Sequence, residues 1–291
     1  MRHMELKALA KINLGLDVLG KRENGYHDVR MIMQSIYLYD EVRLDRSEEP
    51  GIRVKTNLGF LPTGEGNIAY KAAQMLKDEF GIGPGIDITL NKHIPVAAGL
   101  AGGSTDAAAV LFGLNRMFGL KLTREQLMER GVKLGADVPY CIMRGTVLAE
   151  GIGEELTVLP DMPKCTVLIA KPPVSVSTRV VYEALDAGEI ADHPDIDGII
   201  EGLKAGNLKK IASSMGNVLE GVTIPMHPVI EQIKEEMKAA GALNAMMSGS
   251  GPTVFGLFEN RAAARDAQRR IREKALTRQV YVTSIHSVRR K

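Results

Sequence analysis

The sequence predicts an α+β fold of two lobes, and three observations support this prediction. Segments with strand and helix patterns are mixed along the chain without strict alternation, which favours α+β over a doubly wound parallel sheet. The chain has 291 residues, enough for a large core in one domain or in two. An apolar strand pattern at 165–171 is stopped by Pro172-Pro173, and we place the lobe boundary shortly before it, giving lobes 1–159 and 160–291.

Composition and charge exclude several classes of protein. With 45% hydrophobic and 25% charged residues, the chain is not disordered throughout. A net charge of +2 gives no strong electrostatic footprint for nucleic acid or membrane. Cys141 and Cys165 lack metal-type spacing and are interpreted as buried thiols in a reducing compartment. No apolar run reaches membrane-spanning length and residues 1–5 lack a secretory signal pattern, so we expect a cytoplasmic protein.

The first element is a strand at 6–18, where apolar residues alternate with other types. Because side chains two positions apart project the same way, Lys11 and Asn13 must lie side by side, on the face away from the apolar layer. Such a lysine is either solvated or part of a cleft. Asn24-Gly25 then predicts a turn into a return strand at 29–44, with Tyr26 and His27 at the loop rim or simply on the surface.

A helix at 67–80, ended by Gly81, and a strand at 85–91 lead into the loop Pro95–Asp106 and a helix at 105–118. Glycines followed by hydroxyl residues at a helix start allow backbone N–H groups to converge on an anion. The alternative is a tight turn whose glycines permit positive φ and whose Ser104 caps the helix. The loop matches neither the Walker A pattern nor the dinucleotide fingerprint.

A helix at 123–134 ends at Gly135, and Asp137 follows as a candidate cap for a short helix. Strand character returns at 146–149. The second half carries helical patterns at 177–185, 196–205, 208–213 and 227–240, then the loop 247–252, a strand at 253–258, a helix at 261–274 and a strand at 279–285.

Three signatures stand in order along the chain: Ala10-Lys11-Ile12-Asn13-Leu14, the Pro95–Thr105 loop, and Ser248-Gly249-Ser250-Gly251-Pro252-Thr253. This set resembles the GHMP kinases, the superfamily of galactokinase, homoserine kinase, mevalonate kinase and phosphomevalonate kinase. Further motifs resemble its members that act on 4-diphosphocytidyl-2-C-methyl-D-erythritol; they are Asn24-Gly25-Tyr26-His27, Leu134-Gly135-Ala136-Asp137-Val138-Pro139 and Lys171-Pro172-Pro173-Val174-Ser175-Val176-Ser177-Thr178. The resemblance covers nearly the whole chain.

The resemblance implies a two-lobed α+β kinase with a ribosomal-protein-S5-like N-terminal lobe, a C-terminal lobe of helices packed on a sheet, and substrate in the cleft between them. The implied reaction transfers the ATP γ-phosphoryl group to the 2-hydroxyl of the methylerythritol unit, in the non-mevalonate isoprenoid pathway. Asp137 is implied as the base and Lys11 as its catalytic partner, which favours the ionised carboxylate and the developing alkoxide.

The resemblance also implies binding residues. On the substrate side Tyr26 and His27 would bind cytosine, with Tyr182 as a second aromatic, and Asn13 and Thr178 would contact the methylerythritol diphosphate beside Asp137. On the ATP side the implied residues are Asn67, Lys92, Pro95, Gly99, Leu100, Ala101, Gly102, Gly103, Ser104 and Thr105. The residues themselves also fit a helix cap at Asn67 and a surface charge at Lys92.

Mg²⁺ is expected with ATP, but the sequence identifies no metal ligand. Asp106 either interacts favourably with the helix dipole or contacts the metal. Ala97, Ala98 and Ala101 stand where many relatives have glycine, which predicts a stiffer loop. The alternatives are another small-molecule kinase of the superfamily, of homoserine or mevalonate type, and a non-enzymatic binding module on the S5-like fold. A homodimer is a further expectation.

Overall fold

The computed structural model describes residues 1–23, 25–185, 190 and 192–288, so Asn24 of the predicted turn lies outside the described residues. The chain forms two compact units. Unit 1 comprises Met1–Ala10, Leu38–Val96 and Ala101–Met143, and unit 2 comprises Lys11–Tyr37, Ala97–Leu100 and Arg144–Lys291. The predicted boundary at 159/160 falls within unit 2, and the division into lobes at that point stays a prediction.

Two long strands, β1 (His3–Lys21) and β2 (His27–Ser47), are neighbours and contribute residues to both units. Residues 8–18 of β1 are buried without interruption, whereas the alternating pattern predicted one solvated or cleft-facing side. Lys11 and Asn13 are therefore buried polar groups, and both need hydrogen-bond partners.

Unit 1 pairs the later part of β2 with β4 (Gly85–Asn91), which lies antiparallel to β2 and parallel to β3 (Ile52–Thr56). Helix α1 (Ile68–Phe80) packs against α2 (Gly102–Phe118), and α2 packs against α3 (Arg124–Val132) and α4 (Val138–Met143). Strand β4 leads into the glycine-rich loop and α2 leaves it, as predicted.

The ends of these helices follow local sequence signals. The side chain of Asn67 accepts from the N–H of Ala69 at the start of α1, and Gly81 ends the helix in the left-handed conformation. Thr123 and Gln126 form a capping box at α3. Helix α2 begins three residues earlier than predicted, because Ala101 adopts φ 58° and Gly102 is already helical. Ser104 is therefore within the helix rather than at its cap.

Unit 2 contains a sheet in the order β11-β7-β10-β9, with every neighbouring pair antiparallel. The earlier part of β2 pairs with β5, β5 pairs with β6, and β1 pairs in parallel with β8 at Gly15 and Leu16. In chain order the elements of this unit are β5 (Thr146–Glu150), β6 (Glu155–Val158), β7 (Thr166–Lys171), α5 (Thr178–Leu185), α6 (Ile196–Lys204), α7 (Leu208–Ser214), β8 (Gly216–Asn217), α8 (Glu220–Met226), α9 (Val229–Ala239), β9 (Asn244–Met247), β10 (Val254–Phe258), α10 (Arg261–Glu273) and β11 (Gln279–Ser284).

The α+β prediction is confirmed, and the elements that the sequence pattern missed are short. The sequence pattern missed β3, β6, β8, β9 and α8, which have between two and seven residues. Elements this short have too few positions to show a periodic pattern of apolar residues. The short strands among them form because they pair with other strands in the tertiary structure. Within the described residues, no helix is long and apolar enough to cross a membrane.

Candidate functional site

The predicted site residues divide between the units. Unit 2 holds Lys11, Asn13, Tyr26, His27, Gly99, Leu100, Thr178 and Tyr182, whereas unit 1 holds Asn67, Lys92, Pro95, Ala101, Gly102, Gly103, Ser104, Thr105 and Asp137. The loop itself passes from unit 1 into unit 2 at Ala97 and back at Ala101.

The start of α2 carries no side-chain cap. The first N–H groups of an α-helix have no partner within the helix. At α2 the N-cap residue is Ala101, which offers no side-chain hydrogen bond, so the N–H groups of the first turn stay available. Together with the helix dipole, these N–H groups favour an anion at the start of the 17-residue helix.

In unit 2 the loop is fixed by a close backbone approach. A Cβ atom at Gly99 would lie 2.1 Å from the carbonyl oxygen of Ser248, so only glycine fits there. Gly99 also has φ 71°, a conformation that disfavours other residues. The hydroxyl of Ser248 donates to the carbonyl of Gly99 at 3.0 Å. The second and third sequence signatures therefore contact each other through their backbones.

Lys11 lies in the same cluster of unit 2. Its backbone N–H donates to the carbonyl of Leu100 at 3.2 Å, and its ammonium donates to Oδ1 of Asn13 at 2.7 Å. Asn13 donates in turn to the sulfur of Met31 at 3.3 Å. A Cβ atom added at Gly249 would lie 3.6 Å from the ammonium nitrogen, so Lys11 lies directly over this loop glycine. The side-by-side placement of Lys11 and Asn13 is confirmed.

The loop 248–252 is anchored by two further polar side chains. Asn217 on β8 donates to the carbonyls of Met247 and Gly249 at 2.9 and 2.8 Å. The hydroxyls of Thr178 and Ser250 are 2.8 Å apart. Thr178, at the first position of α5, is thereby tied to the loop that lies under Lys11.

Two predicted aromatic residues meet in unit 2. The rings of His27 and Tyr182 have centroids 4.8 Å apart and are tilted by 39°. Tyr26 is 59% exposed, so its ring is accessible for stacking. The sequence placed His27 and Tyr182 in separate motifs, and the structure brings them into one aromatic pair.

Lys92 belongs to a buried ion cluster of unit 1 and is not a surface charge. Its ammonium contacts Asp40 on β2, Asp106 on α2 at 2.5 Å and the carbonyl of Gly102 at 3.3 Å. Both Lys92 and Asp106 are almost fully buried, and Asp40 is completely buried. One ammonium thus faces two carboxylates out of contact with water.

Burial sets the ionisation of this cluster. Burial of Asp106, helped by the nearby charge of Asp40 and opposed by Lys92, raises the pKa of its carboxyl to about 7. Burial also opposes the charge on Lys92, but attraction to Asp106 and Asp40 outweighs it and raises the pKa of the ammonium. Lys92 therefore stays charged while Asp106 carries a proton in part of its population near neutral pH.

Two predicted residues of unit 1 also have plain structural roles. The amide of Asn67 donates to the carbonyl of Pro62 at 2.9 Å and accepts from the N–H of Ala69. Asp137 directly precedes α4, and its backbone carbonyl accepts from the N–H of Cys141 at 3.0 Å. The side chain of Asp137 is half-buried, which is compatible with a carboxylate that meets a ligand.

Sequence reasoning missed two residues that organise the predicted site residues within each unit, Asp40 in unit 1 and Asn217 in unit 2. Asp40 follows Tyr37-Leu38-Tyr39 in the long, largely buried strand β2. An acidic residue within such a strand could have indicated a buried ion pair, because a buried charge needs a partner. Asn217 lies in a strand of two residues and carries no local signal.

No metal centre is built from side chains alone in the part of the chain that the structure describes: no group of three or more His, Cys, Asp or Glu could hold an ion. Cys141 and Cys165 are buried and form no disulfide, and burial raises the pKa of Cys165 to about 12.

The Asp106→Asn variant should change how stability depends on pH. Unfolded Asp106 releases its proton near an ordinary pKa of about 3.9, whereas the folded protein holds it up to about 7. Between these pH values the folded state binds more protons, so ionisation of Asp106 lowers the free energy of unfolding as pH rises. We expect Asp106→Asn to gain stability relative to wild type from pH 5 to 7 by about 1 kcal/mol per pH unit, with no further gain above pH 8.

Urea unfolding at pH 5, 6, 7 and 8 measures this difference. Thr105→Val is the matched control, because Thr105 is the buried neighbour of Asp106 in α2 and does not titrate. Its offset from wild type should be constant with pH. An offset for Asp106→Asn that is equally constant would contradict the raised pKa.

Comparison with known proteins gives the family. Residues 67–145 match the model of the GHMP kinases N-terminal domain, and residues 199–276 match that of the GHMP kinases C-terminal domain. A relative from Lachnospira eligens, named 4-diphosphocytidyl-2-C-methyl-D-erythritol kinase, is 59% identical over 97% of this chain and 98% of its own. A relative of the same name from Lachnoclostridium phytofermentans is 60% identical over 91% of both chains.

A solved structure shows the same likeness in three dimensions. It is described as a crystal structure of 4-(cytidine 5'-diphospho)-2C-methyl-D-erythritol kinase, and it matches with a TM-score of 0.82 and 32% identity over 98% of this chain and 100% of that one. Both family models, the full-length relatives and the solved fold agree. The chain belongs to the GHMP kinases.

Proposed function

We propose that this kinase transfers the γ-phosphoryl group of ATP to the 2-hydroxyl of 4-diphosphocytidyl-2-C-methyl-D-erythritol, a step of the non-mevalonate isoprenoid pathway. The observation that carries the proposal is the 59% identity, over 97% of the chain, to a relative named for this substrate. The buried Lys11–Asn13 pair and the His27–Tyr182 aromatic pair of unit 2 support it independently of the name.

The phosphates of ATP would bind at the start of α2. Phosphoryl transfer needs alignment of donor and acceptor and neutralisation of charge on the moving group. The uncapped N–H groups of Gly102, Gly103 and Ser104 and the helix dipole can provide this neutralisation without a Walker lysine. Mg²⁺ would enter with ATP as its complex, and we assign it no protein ligand.

Lys11 and Asp137 are proposed as the catalytic residues. Asp137 would orient the acceptor hydroxyl and take its proton, and Lys11 would stabilise the negative charge that develops on the oxygen. The position of Lys11 is well defined, because both its backbone and its ammonium are bonded within unit 2. Such a fixed cation needs little reorganisation during the reaction.

Tyr26, His27 and Tyr182 are proposed to bind the cytosine. An exposed tyrosine ring offers a stacking surface, and an imidazole can hydrogen-bond the edge of a pyrimidine. The contact of His27 with Tyr182 restricts the orientation of the imidazole. Asn13 and Thr178 would contact the methylerythritol diphosphate, with Thr178 held in place by Ser250.

A panel of acceptors tests the proposed function. ADP release is measured in a coupled assay with ATP and one of three acceptors: 4-diphosphocytidyl-2-C-methyl-D-erythritol, mevalonate or homoserine. We expect turnover with the cytidyl acceptor alone. Turnover with mevalonate or homoserine would reassign the substrate within the family, and no turnover with any of them would favour a non-enzymatic binding module.

Substitution of Asp137 and Lys11 tests their proposed roles. Loss of a general base costs ~10²–10⁴-fold in rate, so Asp137→Asn should lower kcat by that factor while ATP still binds. Lys11→Ala should likewise lower kcat more than it raises KM for ATP.

Two variants are the controls and should behave as wild type: Asp161→Asn, which changes an exposed carboxylate, and Lys7→Ala, which lies earlier on β1. A near wild-type kcat for Asp137→Asn would remove the base assignment, and a selective rise in KM for ATP would make Lys11 a nucleotide ligand.

Tyr26→Ala should mainly raise KM for the cytidyl acceptor. Base stacking on an aromatic ring is worth about 1–3 kcal/mol, which corresponds to roughly fivefold or more in KM. Tyr37→Ala removes a different exposed tyrosine, which lies on β2, and should leave KM unchanged. Equal KM values for the two variants would show that Tyr26 lies outside the substrate site.

The cytoplasmic location and the homodimer remain predictions. Two buried cysteines that form no disulfide fit a reducing compartment. Gel filtration with light scattering would measure the oligomeric state.

A further inference from the structure

The buried ion cluster of unit 1 joins the two ends of the glycine-rich loop. Before the loop, Oδ1 of Asp40 accepts from the N–H groups of His93 and Ile94 at 2.6 and 2.8 Å, and its Oδ2 accepts from Lys92. After the loop, the same ammonium bonds Asp106 and the carbonyl of Gly102 in the first turn of α2. Residues 92–94 and 102–106 therefore share one network.

The ammonium of Lys92 is fully engaged by this network. A lysine ammonium has three N–H donors, and three acceptors, on Asp40, Asp106 and Gly102, lie within hydrogen-bond distance. Its side chain is only 4% exposed. A phosphate bound to Lys92 would have to displace one of these acceptors: either a buried carboxylate, which would lose its cation, or the carbonyl of Gly102 at the start of α2.

Gly102 shows how closely the cluster approaches the start of the helix. A Cβ atom there would lie 3.5 Å from the ammonium nitrogen and 3.2 Å from Cγ2 of Ile94. The first residue of α2 thus packs directly against the side chains of 92 and 94. Any shift of this turn would break contacts at both ends of the loop.

We propose that Asp40, Lys92 and Asp106 form a clamp that fixes the first turn of α2 relative to the end of β4, and that this clamp sets the affinity of the loop for the nucleotide phosphates. Lys92 is then a positioning residue that acts through the helix start, not a phosphate ligand. The nucleotide as ligand rests on the proposed function, whereas the clamp itself rests on the contacts above.

Asp106 is the weaker half of the clamp. Each oxygen of Asp40 is bonded, but Oδ1 of Asp106 is buried and has no hydrogen-bond partner among the described residues. Two carboxylates also exceed the single positive charge of Lys92, and burial raises the pKa of the Asp106 carboxyl. Substitution at Asp106 therefore cuts the link to α2 and leaves the Lys92–Asp40 ion pair in place.

The test measures binding of a non-hydrolysable ATP analogue, with Mg²⁺, by calorimetry. Asp106→Ala removes the link, and loss of a hydrogen bond to a charged group should weaken binding about tenfold or more. Asp106→Asn keeps an oxygen that accepts from Lys92 and should bind within about twofold of wild type. In turnover assays Asp106→Ala should raise KM for ATP, with KM for the acceptor and kcat at saturating ATP little changed.

The opposite result is equally clear. If Lys92 were a phosphate ligand, Asp106→Ala would release its ammonium toward the nucleotide, and binding would be unchanged or tighter. Either outcome would overturn the clamp.

Asp87→Ala is the control. It removes an ion pair with Arg53 elsewhere on β4 and should bind as wild type. Failure of the wild type to bind the analogue would contradict the proposed function. A wild type that binds the analogue, but no more tightly than Asp106→Ala does, would contradict the clamp alone.

A second variant and a wild-type measurement cover poor folding of Asp106→Ala. Asp106→Ser supplies a hydroxyl that can bond within the helix but is too short to replace the carboxylate, and it should show the same loss of binding. In wild type, amide hydrogen exchange at His93 and Ile94 should be slow because both N–H groups donate to Asp40. Exchange as fast as in an exposed loop would show that the clamp does not exist in solution.

Discussion

The backbone contact between Gly99 and Ser248 is the constraint on which the site of unit 2 depends. A side chain at position 99 would overlap the carbonyl of Ser248. The two loops can therefore meet only with glycine at this position. Their contact brings the loop 248–252 under Lys11, whose N–H bonds the neighbouring carbonyl of Leu100. A lysine, a glycine turn and a serine-glycine loop from three distant parts of the chain are thereby brought into contact.

Lys92 and Lys11, two buried lysines among the predicted site residues, have different hydrogen-bond partners, and this difference suggests different roles. Lys92 donates to two carboxylates. These carboxylates compensate its positive charge, so its attraction for a distant phosphate is weak. Lys11 donates to the amide oxygen of Asn13, a contact that orients the ammonium. Lys92 is thus suited to hold structure, whereas the proposed role of Lys11 is to stabilise the charge that develops during the transfer.

Local signals predicted much of the fold and part of the site. Asn67 and Gly81 mark the ends of α1, and the two-residue period of β1 placed Asn13 beside Lys11. The partnership of Asp40 with Lys92 joins residues 52 positions apart, and no short-range pattern predicts it. The early start of α2 depends on the left-handed conformation of Ala101, which alanine adopts only when the surroundings impose it.

Family membership and substrate depend on different parts of the chain. The two family models match 67–145 and 199–276, and these ranges contain α1, the whole glycine-rich loop and the loop 248–252. Lys11, Asn13, Tyr26, His27, Thr178 and Tyr182 all lie outside both ranges. The models therefore establish a nucleotide-binding scaffold and carry no information on the aromatic pair or on the polar groups of β1. Because the relative from Lachnospira eligens matches 97% of the chain and so extends beyond both ranges, it is what supports a cytidyl acceptor over the other acceptors of the family. Specificity would then depend on β1, β2 and α5, where a few side chains can change without altering the scaffold that binds ATP.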